Sequence, residues 1–86
     1  MPTISEFFGI VIRMYYDDHG QPHFHAYYGE YAAIIEIETL RFREGELPRR
    51  AQVMVLEWAL EHRDELMNDW GLARAHHPLS KIAPLE

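Results

Sequence analysis

The chain has 86 residues, 48% hydrophobic and 26% charged, with a net charge of −6 at pH 7, which fits one small globular domain. That acidity argues against general attraction to nucleic acid or anionic lipid, both of which need a positive field. The absence of cysteine excludes a disulfide framework, thiolate catalysis and cysteine-based zinc sites.

In chain order, Met1–Glu6 has neither a basic leader nor an apolar run, and the longest apolar stretch, Ala51–Leu60, is interrupted by Gln52 and Glu57. No export signal or membrane span is expected, and the protein is assigned to the cytoplasm. Gly9–Tyr16 is rich in β-branched and aromatic residues and predicts a strand, followed by a loop over Asp17–Pro22. His23–Tyr28 alternates polar and apolar, and Gly29-Glu30 gives a tight connection to a third strand over Tyr31–Ile37. Leu40–Arg43 predicts a short fourth strand on an exposed edge, and Glu44-Gly45-Glu46 a turn.

Pro48 suits a first helical position, and Val53, Leu56, Leu60, Met67 and Trp70 repeat at helical spacing. They predict one long helix over about 48–70 stopped by Gly71, or two helices if it breaks near His62–Asp64. The tail, 72–86, carries Pro78 and Pro84 and is expected to be irregular after a short helical turn, with Leu79, Ile82 and Leu85 packing back. The result is a single α+β domain over 1–86, with a three- to four-stranded antiparallel meander at about 8–44 and the helix on one sheet face. A chain of this length buries only roughly 60% of its unfolded surface, so a homodimer or another partner is expected to add burial.

Strand alternation assigns faces. Phe24, Ala26 and Tyr28 are expected to meet the helix with Ile10, Ile12, Met14, Ala33, Ile35 and Ile37. His23, His25 and Tyr27 then stand on the outer face beside Arg13 and Tyr15. Two imidazoles separated by one residue on a strand can reach one ion, with Asp17, Asp18 or His19 from the loop completing the set. Zinc suits such ligands best, and iron, nickel or manganese would also accept them. A plainer reading, in which the histidines only fill a sheet face among tyrosines, is favoured by the absence of any longer zinc-ligand spacing. A metal-free alternative uses His23 and His25 as acid and base, with Arg13 holding a phosphate and Tyr27 nearby, as in a small hydrolase or ribonuclease. His76 and His77 are expected to be solvent-exposed unless the tail folds back to lend a ligand.

Arg41, Arg43, Arg49 and Arg50 form a basic cluster, expected to pair with Glu44, Glu46 or a partner's carboxylate rather than with nucleic acid. Tyr15 and Tyr27 extend this candidate partner surface. Val53–Leu60 is apolar on more than one side, more than a monomer of this size requires, which again points to a second subunit.

Several blocks in order, Thr3–Phe7, Ile12–Tyr16, Asp18-His19, Pro22–Ala26, Tyr28-Gly29, Gly45–Pro48 and Glu57-Trp58, resemble the bacterial domain-of-unknown-function family 4160. That resemblance implies a small bacterial protein encoded beside a second small protein, in a pair that looks like a toxin–antitoxin module. Gln21 departs from the family, where proline is common, and so does His76-His77, where the tail usually carries glycine or lysine. The leading functional expectation is a partner-binding member of such a pair. The alternative is a metal-binding protein or small hydrolase using His23 and His25.

Overall fold

In the computed structural model, which describes residues 2–86, Phe8 and Gly9 lie at φ 49° and 82°. This is the backbone of a type I′ turn, and it folds Thr3–Phe7 (β1) against Ile10–Arg13 (β2). Gly29, at φ 57°, makes the corresponding tight turn between His23–Tyr28 (β3) and Tyr31–Glu36 (β4). Phe42–Glu46 (β5) completes a five-stranded sheet in the order β1-β2-β3-β4-β5, every neighbouring pair antiparallel.

The sheet is thus one or two strands larger than the sequence predicts. β1 escapes alternation because its register shifts between Thr3 and Ser5, so that consecutive Ile4 and Ser5 are both buried. β5 begins later than expected and contains the Glu44-Gly45-Glu46 segment read as a turn. Its register also shifts: Ile35 faces Phe42 and Ile34 faces Glu44, leaving Arg43 as the extra residue of a bulge. Gly45 sits in the strand at φ 75°, and a Cβ there would land on the Ala32 carbonyl of β4, so the close approach of these strands requires glycine.

Arg49–Glu61 (α1) and Arg63–Arg74 (α2) follow, separated at His62, whose φ of −117° leaves the helical region. The single long helix is therefore not formed, and the alternative, a break near His62–Asp64, is the one present. Pro48 precedes the first helical residue instead of occupying it. Gly71 is not the stop, because α2 runs through it to Arg74. His76, at φ 59°, ends the helix: its N–H donates to the Ala73 carbonyl and that of His77 to the Leu72 carbonyl, a Schellman arrangement.

The sheet face predicted to be apolar is the buried one: Ile10, Ile12, Met14, Phe24, Ala26, Ala33, Ile35 and Ile37 all lie in the core, whereas Tyr28, expected with them at the strand end, is exposed. The helical phase is different from the predicted one. Ala51, Val55, Trp58, Ala59, Leu66, Trp70 and Ala73 turn inward, whereas Val53, Leu60 and Met67 are exposed. α1 is apolar on several sides, so periodicity alone does not select the stripe. Burying the largest side chain does: Trp58 is fully enclosed, against Phe7 and Phe24 at ring separations of 5.4 and 6.0 Å. Its indole N–H donates to the Ala83 carbonyl over 2.8 Å, and Ile82 N–H donates to the Ile4 carbonyl over 2.8 Å, tying the irregular tail to the helix and to β1. No helix among the described residues is long and apolar enough to cross a membrane.

Candidate functional site

The loop between β2 and β3 places its carboxylate by a local turn. Asp18 N–H donates to the Tyr15 carbonyl and Tyr15 N–H donates to Asp18 Oδ2 over 3.3 Å, which holds the side chain over the start of β3. Strand alternation sends His23 and His25 to the same side, with ring centroids 5.4 Å apart. Both Nε2 atoms converge on Asp18 Oδ2, that of His25 at 3.1 Å and that of His23 at 3.3 Å. One donor atom from each residue fits within a 4.8 Å span.

Of the residues the sequence offers as ligands, the structure gathers Asp18, His23 and His25. Asp17 and His19 point into solvent outside the group. His76 stacks on Tyr16 at 6.1 Å and His77 is exposed, so neither tail histidine belongs to the cluster.

The expected exposure of both rings needs correction. His23 is only 3% exposed, closed over by Trp70 of α2 at 5.1 Å, while His25 and Asp18 retain 15% and 17% of their side-chain surface. Access therefore runs past His25, which faces a depression of about 180 Å³ that it lines with Ala32, Ala33, Ile34, Glu44 and Gly45. Burial is the main force lowering the pKa of His25, outweighing the opposing pull of Asp18. Its ring accordingly favours the neutral form, which carries a lone pair.

Beside the cluster, Tyr15 and Tyr27 share a hydroxyl–hydroxyl hydrogen bond of 2.6 Å, and the Tyr15 ring meets His25 edge-on at 4.6 Å. Burial, then the Tyr15 hydroxyl, pushes the Tyr27 phenol up to about 12, so Tyr27 is a neutral donor at physiological pH and not a base. Arg13 lies over the Tyr27 ring at 5.4 Å and its Nε donates to Thr3 Oγ1 over 3.2 Å. In the ladder it stands directly opposite His25, as alternation predicts, but its guanidinium is engaged by Tyr27 and Thr3 and makes no hydrogen bond to either histidine.

The cation at the site is Arg43 instead. Its Nη2 is 3.0 Å from His23 Nδ1, the same ring atom that lies 2.8 Å from the Gln21 carbonyl oxygen. A ring nitrogen carries either a hydrogen or a lone pair. Nδ1 therefore donates to Gln21 in one tautomer and accepts from Arg43 in the other. Alternation hid this neighbour, because the β5 bulge that brings Arg43 across has no signature in Leu40–Arg43.

Arg41, Arg49 and Arg50 are exposed. The expected local pairing with Glu44 or Glu46 is not present, since the ion pairs among the described residues all involve histidine.

A family model described as a domain of unknown function, DUF4160, matches residues 9–71. The chain belongs to that family. The matched span contains β2 to β5, α1, most of α2 and the whole Asp18–His23–His25 cluster, while β1 and the tail lie outside it. No curated protein and no solved structure matches the chain.

Proposed function

We propose that this DUF4160 domain binds a divalent metal ion, zinc fitting best, through Asp18, His23 and His25. The observation that carries the reading is that both Nε2 atoms stand beside one Asp18 carboxylate oxygen, all three donor atoms lying within 4.8 Å of one another. Ligands about 2.0 Å from a tetrahedral zinc are about 3.3 Å from one another, and the two nitrogen–oxygen separations here are 3.3 and 3.1 Å. His25 Nε2 is hydrogen-bonded to Asp18 Oδ2 and His23 Nε2 lies 3.3 Å from the same oxygen, so the three donor atoms already stand near one another. Gln21 adds the outer partner expected of a metal-bound imidazole, a carbonyl that accepts from His23 Nδ1–H and fixes Nε2 toward the ion.

Three protein ligands leave a fourth position open, the pattern of sites that activate water instead of serving only as a structural clamp. The rim at His25 gives that position its route to solvent. Metal analysis of protein purified without a histidine tag tests the assignment: zinc retained by the wild type and lost when His23 and His25 are both changed to Ala supports it, and a wild type unable to hold zinc removes it.

A second reading, association with another small protein encoded alongside or with a second copy of the chain, draws on a different observation. Phe8, Tyr28, Tyr31, Val53 and Leu60 are 62%, 37%, 45%, 55% and 63% exposed, an apolar display of the kind that partners cover. The toxin–antitoxin role belongs to this reading. Co-expression with the product of the adjacent gene tests it: a stable complex weakened by Phe8→Asp or Leu60→Asp supports it, and two proteins that elute independently count against it.

A further inference from the structure

We propose that Arg43 makes this site a receptor for a phosphate dianion held jointly by its guanidinium and the bound metal. The inference rests on the metal assignment above and adds the class of molecule that occupies the open position. Arg43 is an exposed residue whose side chain leans across the loop: Nη2 is 3.0 Å from His23 Nδ1, and a Cβ added at Gly20 would sit 3.8 Å from Nη1. No carboxylate among the described residues pairs with it. Its contact with His23 Nδ1 is a hydrogen bond in the tautomer that leaves the Nδ1 lone pair free.

Metal binding removes that acceptor. When His23 Nε2 ligates an ion, the remaining ring hydrogen resides on Nδ1 and points to the Gln21 carbonyl at 2.8 Å. The guanidinium then keeps its donor fork at the Nδ1 edge of the His23 ring without the ring lone pair to receive it. The metal and Arg43 are cationic and Asp18 is anionic, so with neutral imidazoles two positive charges remain uncompensated in a half-buried site.

Glu36, opposite His23 in the ladder, accepts from the Thr39 hydroxyl over 3.1 Å, which directs it away. Glu44 lines the depression with His25 and is the rival source of negative charge. A phosphate monoester or inorganic phosphate carries about −1.5 to −2 near pH 7, which matches the imbalance, and its paired oxygens match the planar fork of an arginine. A diester carries a single charge, and a nucleic acid backbone also meets the repulsion of a domain with net charge −6.

Isothermal titration of untagged, zinc-saturated protein with inorganic phosphate, phenyl phosphate and dimethyl phosphate tests the proposal. The wild type should bind the first or the first two and discriminate against the diester. Binding of phenyl phosphate identifies an ester as the natural source, and binding of inorganic phosphate alone identifies the free ion. Arg43→Gln, also measured at zinc saturation, should weaken phosphate by at least about tenfold, and Arg43→Lys should weaken it less, because loss of a charge-assisted fork costs more than loss of its geometry.

Equal phosphate affinity in wild type and Arg43→Gln overturns the proposal, as does equal affinity with and without zinc. Phosphate binding that appears only in Glu44→Gln also overturns it, by showing that Glu44 supplies the charge. A protein that takes up zinc but no phosphate refutes this inference alone. One that takes up no zinc refutes the metal reading beneath it.

Discussion

Replacing Gly45 with alanine should be far more damaging than a methyl group suggests. At φ 75° an L-residue is strained by about 1–2 kcal/mol. The added Cβ also lands on the Ala32 carbonyl in the adjacent strand, so β4 and β5 must part locally, and losing one or two ladder hydrogen bonds costs about 0.5–1.5 kcal/mol each. The sum is about 3 kcal/mol, against a total stability of roughly 4–13 kcal/mol for a domain of this size. At about 4–8 °C per kcal/mol, the melting temperature should fall by roughly 12–24 °C.

Urea unfolding followed by circular dichroism provides the assay, with Gly71→Ala as the matched control. Gly71 lies inside α2, where an added Cβ meets nothing within 4 Å, so the same chemical change should stabilise by about 0.5–1 kcal/mol. A Gly45→Ala protein within about 1 kcal/mol of wild type would refute the reasoning about the β4–β5 approach.

Other expectations follow from buried polar groups and the tail. Trp58→Phe removes the donor to the Ala83 carbonyl and should destabilise by about 1–3 kcal/mol, with earlier proteolytic cleavage of the tail as its distinguishing sign. Asp69 is fully buried, with Oδ1 accepting from Ser80 N–H and Oδ2 unpartnered, and burial raises its pKa above 3.8. The folded state thus binds this proton more tightly than the unfolded one, so the favourable contribution is complete below the unfolded value and is lost as pH rises through the folded one. Asp69→Asn should therefore be more stable than wild type at pH 7 by about 1 kcal/mol, and the advantage should shrink in acid; an advantage that grows in acid would contradict the assignment. Ultraviolet titration should find a phenol that is still un-ionised at about pH 11 and is lost in Tyr27→Phe, since Tyr27 is pushed up to about 12.

Strand faces were legible in the sequence because apolar residues recur at every second position from Ile10 to Met14, from Phe24 to Tyr28 and from Ala33 to Ile37, even though Val11 and Ile34 blur the outer face. That is why His23 and His25 could be named as neighbours from spacing, with Asp17, Asp18 or His19 offered from the loop; spacing did not choose Asp18 among them. What alternation could not show lies where the backbone departs from it. The bulge in β1 disguised a strand, and the bulge at Arg43 moved a cation from a supposed partner surface to the side of His23. Trp70 over His23 depends on the direction α2 takes after His62; the sequence offered a break there but not that direction. The helix phase failed for a related reason. An α1 that is apolar on more than one side carries two stripes, and only the space enclosed by Phe7, Phe24 and the tail chooses the one containing Trp58.

The central claim, that Asp18, His23 and His25 form one ligand set, is tested most directly by elemental analysis of the untagged protein after zinc loading and dialysis. The account predicts on the order of one zinc per chain, reduced to background when His23 and His25 are replaced together and strongly weakened by Asp18→Ala. A folded wild-type protein that emerges free of zinc, or that holds as much zinc after His23→Ala with His25→Ala, would contradict it.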